Sequence, residues 1–564
     1  MLILAKAFYL KLAIANIKRS REIYIPHFIA TAIISGVFFL ISGLVFSDGL
    51  TNLPSGPTSQ AVFSAGIFLF AVFAFIFMLY INSFLMKRRK REFGLYGVLG
   101  LSKRHIGRLL LWENVLIIGF GVICGIIVAL IFGKLLFLLL LKAIHSAPNS
   151  EFSIGLEAYL LTLGLFAVIF VVTSAINLVR VHIANPIQLL YSDKKGDKDS
   201  RFVVPRAIIG FILLAVAYYF ALTINVPATA LGVFFLLAVL VILATNALFV
   251  AGSIVILRIL RKRKKLYYKP KNFVAISGMF QRMKQNASGL AVICILSTML
   301  IITASSTTAL YLGQEEQLRS AYPFDIQIWL YDEALTEEQL VEIDEQLAAE
   351  AENYDLAMSA SFEGKTGDNI QSIIDEGYTA MDHSIVQWGH IIMFDLDGSS
   401  EDYQQFVSQI SEILSPYGIN FSITDIEDAR MEHYALTGGL LFLGVFFGIL
   451  FLVITVLVIY FKQITEGYED KERFAILQKV GMSDKQVKET INRQILWVFF
   501  LPLVVAICHT VVASKIICVM LQSFELYNSA LVLICIAVTC AIFALIYLIV
   551  FKLTAKVYYR IVKW

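Results

Sequence analysis

A chain of 564 residues that is 58% hydrophobic and 16% charged stands far from the roughly 25% charge of soluble domains. That balance excludes a disordered protein, a coiled coil and an ordinary cytosolic enzyme, and the apolar runs of about 20 residues that recur along the chain identify a polytopic helical membrane protein. The net charge of +3 conceals segregation: residues 313–432 hold 3 Lys or Arg against 27 Asp or Glu, a net of −24, and the remainder carries +27, which implies two sides of a membrane.

Residues 1–23 carry Lys6, Lys11, Lys18 and Arg19 in an amphipathic pattern, expected as an interfacial cytoplasmic helix rather than a cleavable signal peptide. Ten spans follow, over 24–46, 61–85, 110–141, 157–179, 205–222, 229–257, 286–311, 433–461, 494–520 and 529–553. Each has the roughly 20 apolar residues needed to cross the hydrocarbon core. The third and eighth apolar helices exceed that length and are expected to tilt or to continue as stalks.

Basic residues orient the spans. Segment 86–108 carries eight Lys or Arg, among them Lys87, Arg88, Arg89, Lys90 and Arg91, and segment 258–284 carries ten with no acid; connections 47–60, 223–228 and 521–528 carry none. The positive-inside rule then puts both termini in the cytoplasm and the acidic block outside. The expected division is an interfacial helix (1–23), a first repeat of four spans (24–180), a cytoplasmic connection with spans five and six (181–258), a basic segment (259–285), span seven (286–312), an extracytoplasmic domain (313–432), the second repeat (433–556) and a tail (557–564).

The repeat is visible at a constant offset of 381. Arg91-Glu-Phe-Gly-Leu-Tyr-Gly-Val-Leu-Gly-Leu-Ser102 lies between spans two and three, and Glu472-Arg-Phe-Ala-Ile-Leu-Gln-Lys-Val-Gly-Met-Ser483 between spans eight and nine. Each reads as a short amphipathic helix ended by Gly, followed by a helix capped by Ser, with Ser483 to Gln486 as a capping box. A weaker echo links Leu12–Ile17 to Val274–Met279. The layout is four spans, two inserted spans, then four again.

In the acidic block, strands are expected over 324–330, 355–360, 390–394 and 419–424, and helices over 336–351 and 401–414. That β-α-β…β-α-β order is the split βαβ, or ferredoxin-like, arrangement. The fold class is therefore a polytopic α-helical membrane protein with a small α+β domain outside.

Groups that could carry chemistry are scarce. The sequence holds no HExxH, no CxxC and no nucleophile elbow, and Glu363-Gly-Lys-Thr366 has Ser359 where a phosphate loop needs its first Gly, so it is expected as a surface turn. The six cysteines all lie in apolar stretches and read as small hydrophobes. No metal site is expected; His383 and His390 lack ligand spacing. Within the spans, Glu113 with Asn114, Lys134, His509 and Lys515 call for partners, but the acids needed for a proton relay are missing. Gly121-x-x-x-Gly125 and Gly444-x-x-x-Gly448 are candidate helix contacts.

Two site classes remain. The repeated cytoplasmic helices offer Phe93, Leu95, Tyr96, Leu99 and Gly100, and Phe474, Ile476, Leu477 and Gly481, as docking knobs for two equivalent partner sites such as a dimeric ATPase presents. The acidic cluster Glu337, Glu338, Glu342, Asp344 and Glu345 is a candidate site for a cationic peptide through long-range attraction.

The motif at 91–102, followed by Glu113-Asn114, and its copy at 472–483 resemble the FtsX-type permease domain. The ten-span layout with a domain between spans seven and eight is similar to BceB-type permeases of Firmicutes, although that domain is shorter here. The resemblance implies an ABC transporter permease with no catalytic residues or cofactor of its own. ATP and Mg would sit on a separate cytoplasmic ATPase, expected as a homodimer, and a membrane histidine kinase is a further partner; nucleic acid is not. It implies the plasma membrane of a Gram-positive bacterium, and resistance to and sensing of peptide antibiotics that bind cell-wall lipid precursors. Extraction of a lipid or lipoprotein, and a scaffold that activates a kinase or wall hydrolase without transport, are the alternatives.

Overall fold

The computed structural model describes residues 2–562 except 54, 147–151, 184–201, 268–269, 323, 331–335, 354–356, 366–389, 398–399 and 480–483. Ten helices among the described residues are long and apolar enough to cross a membrane: Arg21–Val45, Gly56–Arg88, Lys103–Ala143, Leu156–Ile183, Val203–Thr223, Pro227–Lys262, Ala287–Leu312, Ile426–Tyr468, Phe499–Phe524 and Ser529–Tyr558. They are spans one to ten. The third and the eighth outrun the bilayer, since 41 residues rise about 60 Å at 1.5 Å each.

Spans one and three make the tightest crossing. A Cβ built on Gly36 would lie 2.9 Å from the Gly125 carbonyl oxygen, and one on Gly121 would meet Thr31 at 2.8 Å. The first Gly-x-x-x-Gly pair is therefore a true backbone contact, the arrangement small residues permit where no hydrophobic force drives helices together. The second pair divides: a Cβ on Gly444 would strike Thr307 of span seven, whereas Gly448 faces open space.

The two repeats meet along spans two and eight. Phe73 stacks edge-on to Phe447 and Phe451 at 6.0 and 5.4 Å, Phe70 lies 5.6 Å from Phe447, and Phe84 stacks on Phe461 at 4.7 Å. Corresponding helices of the two repeats thus run side by side, with edge-to-face geometry supplying about 0.5–1.5 kcal/mol per pair beyond area burial. Spans five and six pack on each other, Gly210 lying close to Ala247. Span six contains one π-helical turn, Leu248–Gly252.

Among the described residues, the domain between spans seven and eight holds a four-stranded antiparallel sheet with two helices packed on it. Strands β1 (Ile326–Leu330), β2 (Ala357–Lys365), β3 (His390–Asp397) and β4 (Phe421–Asp425) lie in the order β2-β3-β1-β4, the ferredoxin-like order expected from the sequence. Helix Glu337–Asn353 buries Ile343, Leu347 and Ala351, and helix Ser400–Leu414 buries Phe406, Ile410 and Leu414, against Ile326, Ile328 and Leu330 of β1. These are the i, i+4 positions of amphipathic helices. Thr336 caps the first helix with a closed capping box: its hydroxyl accepts from the Gln339 N–H at 3.3 Å, and Gln339 accepts from the Thr336 N–H at 3.0 Å. Two local expectations need correcting. Glu363, Gly364 and Lys365 are not a surface turn; they end β2, paired with Ile392, Ile391 and His390. That strand runs past residue 360 because the ladder with β3 continues beyond a bulge at Met358/Ala360. His383 lies outside the described residues.

Candidate functional site

The helix that the first motif forms, Lys90–Val98, is separated from span two by a break at Arg89, whose φ is −90° and ψ 2°. Arg89 is wholly inaccessible. Its guanidinium grips Glu113 of span three with both terminal nitrogens, the second at 3.1 Å, while Nε bonds Glu92 at 2.7 Å. Glu113 also accepts from Tyr24 Oη at 3.0 Å and Asn16 Nδ2 at 2.9 Å. Tyr96 of the linker helix donates to the Asn16 amide oxygen at 3.2 Å. The guanidinium lies over the rings of Phe93 and Tyr24, 5.0 and 5.4 Å from their centroids. Burial alone would lower the Arg89 pKa, but Tyr24 and Glu113 outweigh it and raise it. A bidentate pair of this kind, with its remaining lone pairs filled, offsets the desolvation that burying two charges costs.

This network dictates which linker residues face out. Phe93, expected as a docking knob, turns inward and is 4% exposed, packed with Met86, Ile106, Leu110 and Val181. Tyr96 is half-buried by its bond to Asn16. Leu95 and Leu99 stay out at 50% and 68%, joined by Val98 at 59%. Gly100 ends the helix at φ +91°, with Gly100 N–H bonded to Gly97 O and Leu101 N–H to Tyr96 O. That is a Schellman motif, whose left-handed residue is why Gly stands there. Ser102 follows in the extended N-cap conformation, although its side chain makes no cap bond.

The second motif is built differently. Helix Ile426–Lys479 runs unbroken for 54 residues, from the inserted domain through span eight into the motif. Phe474, Ile476 and Leu477 lie on its last turns; Gly481 and the Ser483 capping box lie outside the described residues. At the offset of the repeat, Arg89 corresponds to Asp470 and Glu113 to Gln494, so the ion pair is not repeated. Asp470 is buried and accepts from Tyr558 Oη of span ten at 2.6 Å. The same contrast holds for the helices before spans one and seven: Leu2–Arg19 breaks at Ser20, whereas Pro270–Leu312 is continuous.

Both connections between the inserted domain and the spans leave from adjacent strands, β1 and β4, which pair along their length. β4 ends at Asp425, and the long helix starts at Ile426 with no loop between. The junction is laced by polar contacts: Glu315 accepts from Tyr434 Oη at 2.6 Å and Arg430 at 3.2 Å, Thr437 bonds Gln314 at 3.1 Å, and Asn528 bonds Glu316 at 3.1 Å. Burial raises the Glu315 pKa, but the Tyr434 bond and Arg430 outweigh it and hold the carboxyl below its usual range.

Of the acidic cluster, Glu338, Glu342 and Glu345 are exposed on one helix. Asp344 is half-buried, its pKa pushed up by burial and then by Glu345. The Glu337 side chain lies outside the described residues. No group of three or more His, Cys, Asp or Glu among the described residues could hold a metal.

Sequence reasoning flagged Glu113 but missed its partners Arg89, Tyr24 and Asn16, and missed Asp470. An acid in an apolar run asks for a cation, but in the sequence Arg89 is one of eight positive charges in segment 86–108 with nothing to single it out.

Residues 64–186 and 445–563 match the profile of the family described as FtsX-like permease C-terminal. Both linker motifs fall inside the matched segments. The chain is 23% identical, over 92% of its length and 95% of the relative's, to an uncharacterized ABC transporter permease, YvcS, of Bacillus subtilis. It is 24% identical to the ABC transporter permease protein YxdM of the same organism, over 91% and 94%. It is 22% identical to the bacitracin export permease protein BceB, over 90% and 93%.

Proposed function

We propose that the chain is an FtsX-like ABC transporter permease of the BceB-like branch and that it couples ATP hydrolysis by a separate cytoplasmic ATPase to movement of the domain inserted between spans seven and eight. The purpose of that movement is resistance to, and sensing of, cell-wall-targeting peptide antibiotics. The observation that carries this reading is the helix Ile426–Lys479, which joins β4 of the domain directly to the second linker motif. A continuous helix transmits axial and tilting displacement, whereas a loop would absorb it.

The basic segments put the linker motifs in the cytoplasm and the acidic domain outside. On the first linker, Leu95, Val98 and Leu99 present the apolar docking surface to the ATPase, and Phe93 holds the helix from behind. On the second, Phe474, Ile476 and Leu477 lie at the end of the lever. The two repeats offer two sites, which fits an ATPase homodimer. The exposed Glu338, Glu342 and Glu345 attract a cationic peptide and act on capture rate more than on final affinity. A membrane histidine kinase is the partner through which occupancy would be reported.

The test is co-purification of the chain with its ATPase, followed by ATP hydrolysis measured with bacitracin and a panel of other peptide antibiotics. A peptide-stimulated rate supports the reading. A complex whose hydrolysis responds to a lipoprotein or lipid, and to none of the peptides, would favour extraction instead.

A further inference from the structure

One cavity lies among the membrane spans, away from both linkers and from the inserted domain. Its volume is about 390 Å³, inside the range of small-ligand pockets. Span two contributes Leu69 and Phe73; spans five and six contribute Tyr218, Phe235 and Thr245; spans seven, eight and nine complete it with Thr298, Phe447 and His509. Thr298, Phe447 and His509 all fall near the middle of their helices, so the cavity sits at mid-depth.

The wall is pinned by one polar cluster. His509 Nδ1 lies 2.6 Å from Tyr218 Oη, and Nε2 lies 3.0 Å from Thr245 Oγ1. Span nine is thereby tied to both inserted spans. Two hydroxyls satisfy both ring nitrogens, so the histidine presents no free polar atom to the interior. Span six opens into its π-helical turn three residues after Thr245, the kind of irregularity that recurs at functional sites.

The occupant follows from the lining. A buried water needs two to four polar partners, and this interior, walled mainly by Phe, Leu, Ile, Val, Met and Ala, with His509 bonded to Tyr218 and Thr245 and with Thr298 bonded to the Cys294 carbonyl, cannot supply them for the roughly dozen waters that the volume would hold at about 30 Å³ each. Leu69 and Phe235 on its rim are 45% and 68% exposed on the outer face of the spans, where the surrounding medium is lipid hydrocarbon. We propose that spans five and six, packed against spans two and seven to nine, form a binding site for a long hydrocarbon chain of a membrane lipid. This inference stands whether or not the ATPase reading is correct.

The full-length chain in vesicles of phosphatidylglycerol and phosphatidylethanolamine, doped with a phosphatidylglycerol or a polyprenyl phosphate bearing a diazirine in its chain, tests this. After photolysis, adducts are mapped by peptide mass spectrometry. At least a fivefold excess of adducts on 217–245, 295–303 and 509–516 over the lipid-facing positions Phe211 and Ile131 is expected from one of the two probes, and the probe that gives it names the source of the chain. Ala221→Trp and Ala513→Trp, each filling the cavity from a different span, are expected to abolish the excess and to leave the Phe211 and Ile131 adducts unchanged. Adducts from both probes spread evenly over the exposed faces of the wild-type protein would overturn the proposal, and that measurement needs no variant to fold. An excess that survives both substitutions would overturn it as well.

Discussion

The two repeats share a motif and diverge in mechanics. In the first, the helix before span one breaks at Ser20 and the helix after span two breaks at Arg89. The short pieces are then stitched back onto the bundle by Asn16, Tyr24, Tyr96, Arg89 and Glu113. In the second, both equivalents are single helices of 43 and 54 residues, and the sequence has exchanged Arg89 for Asp470 and Glu113 for Gln494. A break needs something to fix its angle, and the buried ion pair does so. A continuous helix needs no such device. The difference is structural: the first repeat fixes its linker helix to the bundle through a buried ion pair, and the second runs without a break from its linker motif to the inserted domain.

The largest effect should come from the ion pair. Glu113→Ala removes the buried one of the two carboxylates that the inaccessible Arg89 guanidinium bonds, and breaking a buried pair costs about 3–5 kcal/mol. It should lower the thermal midpoint of the purified protein steeply. Asp470→Asn, at the corresponding place in the second repeat, weakens one charge-assisted bond from Tyr558 and should cost about 1–3 kcal/mol. Equal losses would mean that the two repeats are mechanically alike.

Close packing sharpens the contrast. Gly125→Ala forces a methyl group against the backbone of span one, and overpacking of this kind costs about 1–3 kcal/mol. Gly448→Ala meets nothing within 4 Å and should be neutral or gain up to about 1 kcal/mol from helix propensity. Unfolding of the two variants in the same detergent checks both signs.

Docking comes next in size. Leu95→Asp with Leu99→Asp should leave membrane abundance intact and weaken ATPase pull-down about tenfold, equivalent to about 1.4 kcal/mol. Phe93→Asp should lower abundance instead, because its ring is buried against the guanidinium and Leu110. Loss of binding in Phe93→Asp with full abundance would contradict the inward placement of that ring.

The smallest effect concerns Gly100. At φ +91° with open space around it, Gly100→Ala should cost about 1 kcal/mol through backbone strain alone. Asn, which tolerates the left-handed region, should recover part of that loss.

Much of this was legible in the sequence. The ten spans, the two inserted helices and the ferredoxin-like strand order follow from length, period and charge, which act locally. The helix start at Thr336 and the helix stop at Gly100 were readable for the same reason. The continuity of Ile426–Lys479 was not, because a Gly-ended motif of twelve residues looks the same whether or not a break precedes it. The inward turn of Phe93 was equally hidden. Its orientation is fixed by Arg89, whose partner lies 24 residues on, and by Val181 of span four. Of the acidic cluster, composition could not tell that Asp344 leans toward the core while Glu342 and Glu345 face out.

The central claim is that nucleotide binding at the linkers moves the inserted domain through the long helix. Spin labels on cysteines introduced at Val341, which is 53% exposed on the domain, and at Tyr527, 43% exposed between spans nine and ten, would report it. The background would be a variant in which the six native cysteines are replaced, and the sample the permease–ATPase complex in lipid discs. Double electron–electron resonance should give one distance distribution without nucleotide and a shifted one with ATP trapped on a hydrolysis-deficient ATPase. Identical distributions in the two states, with the complex intact, would contradict the account.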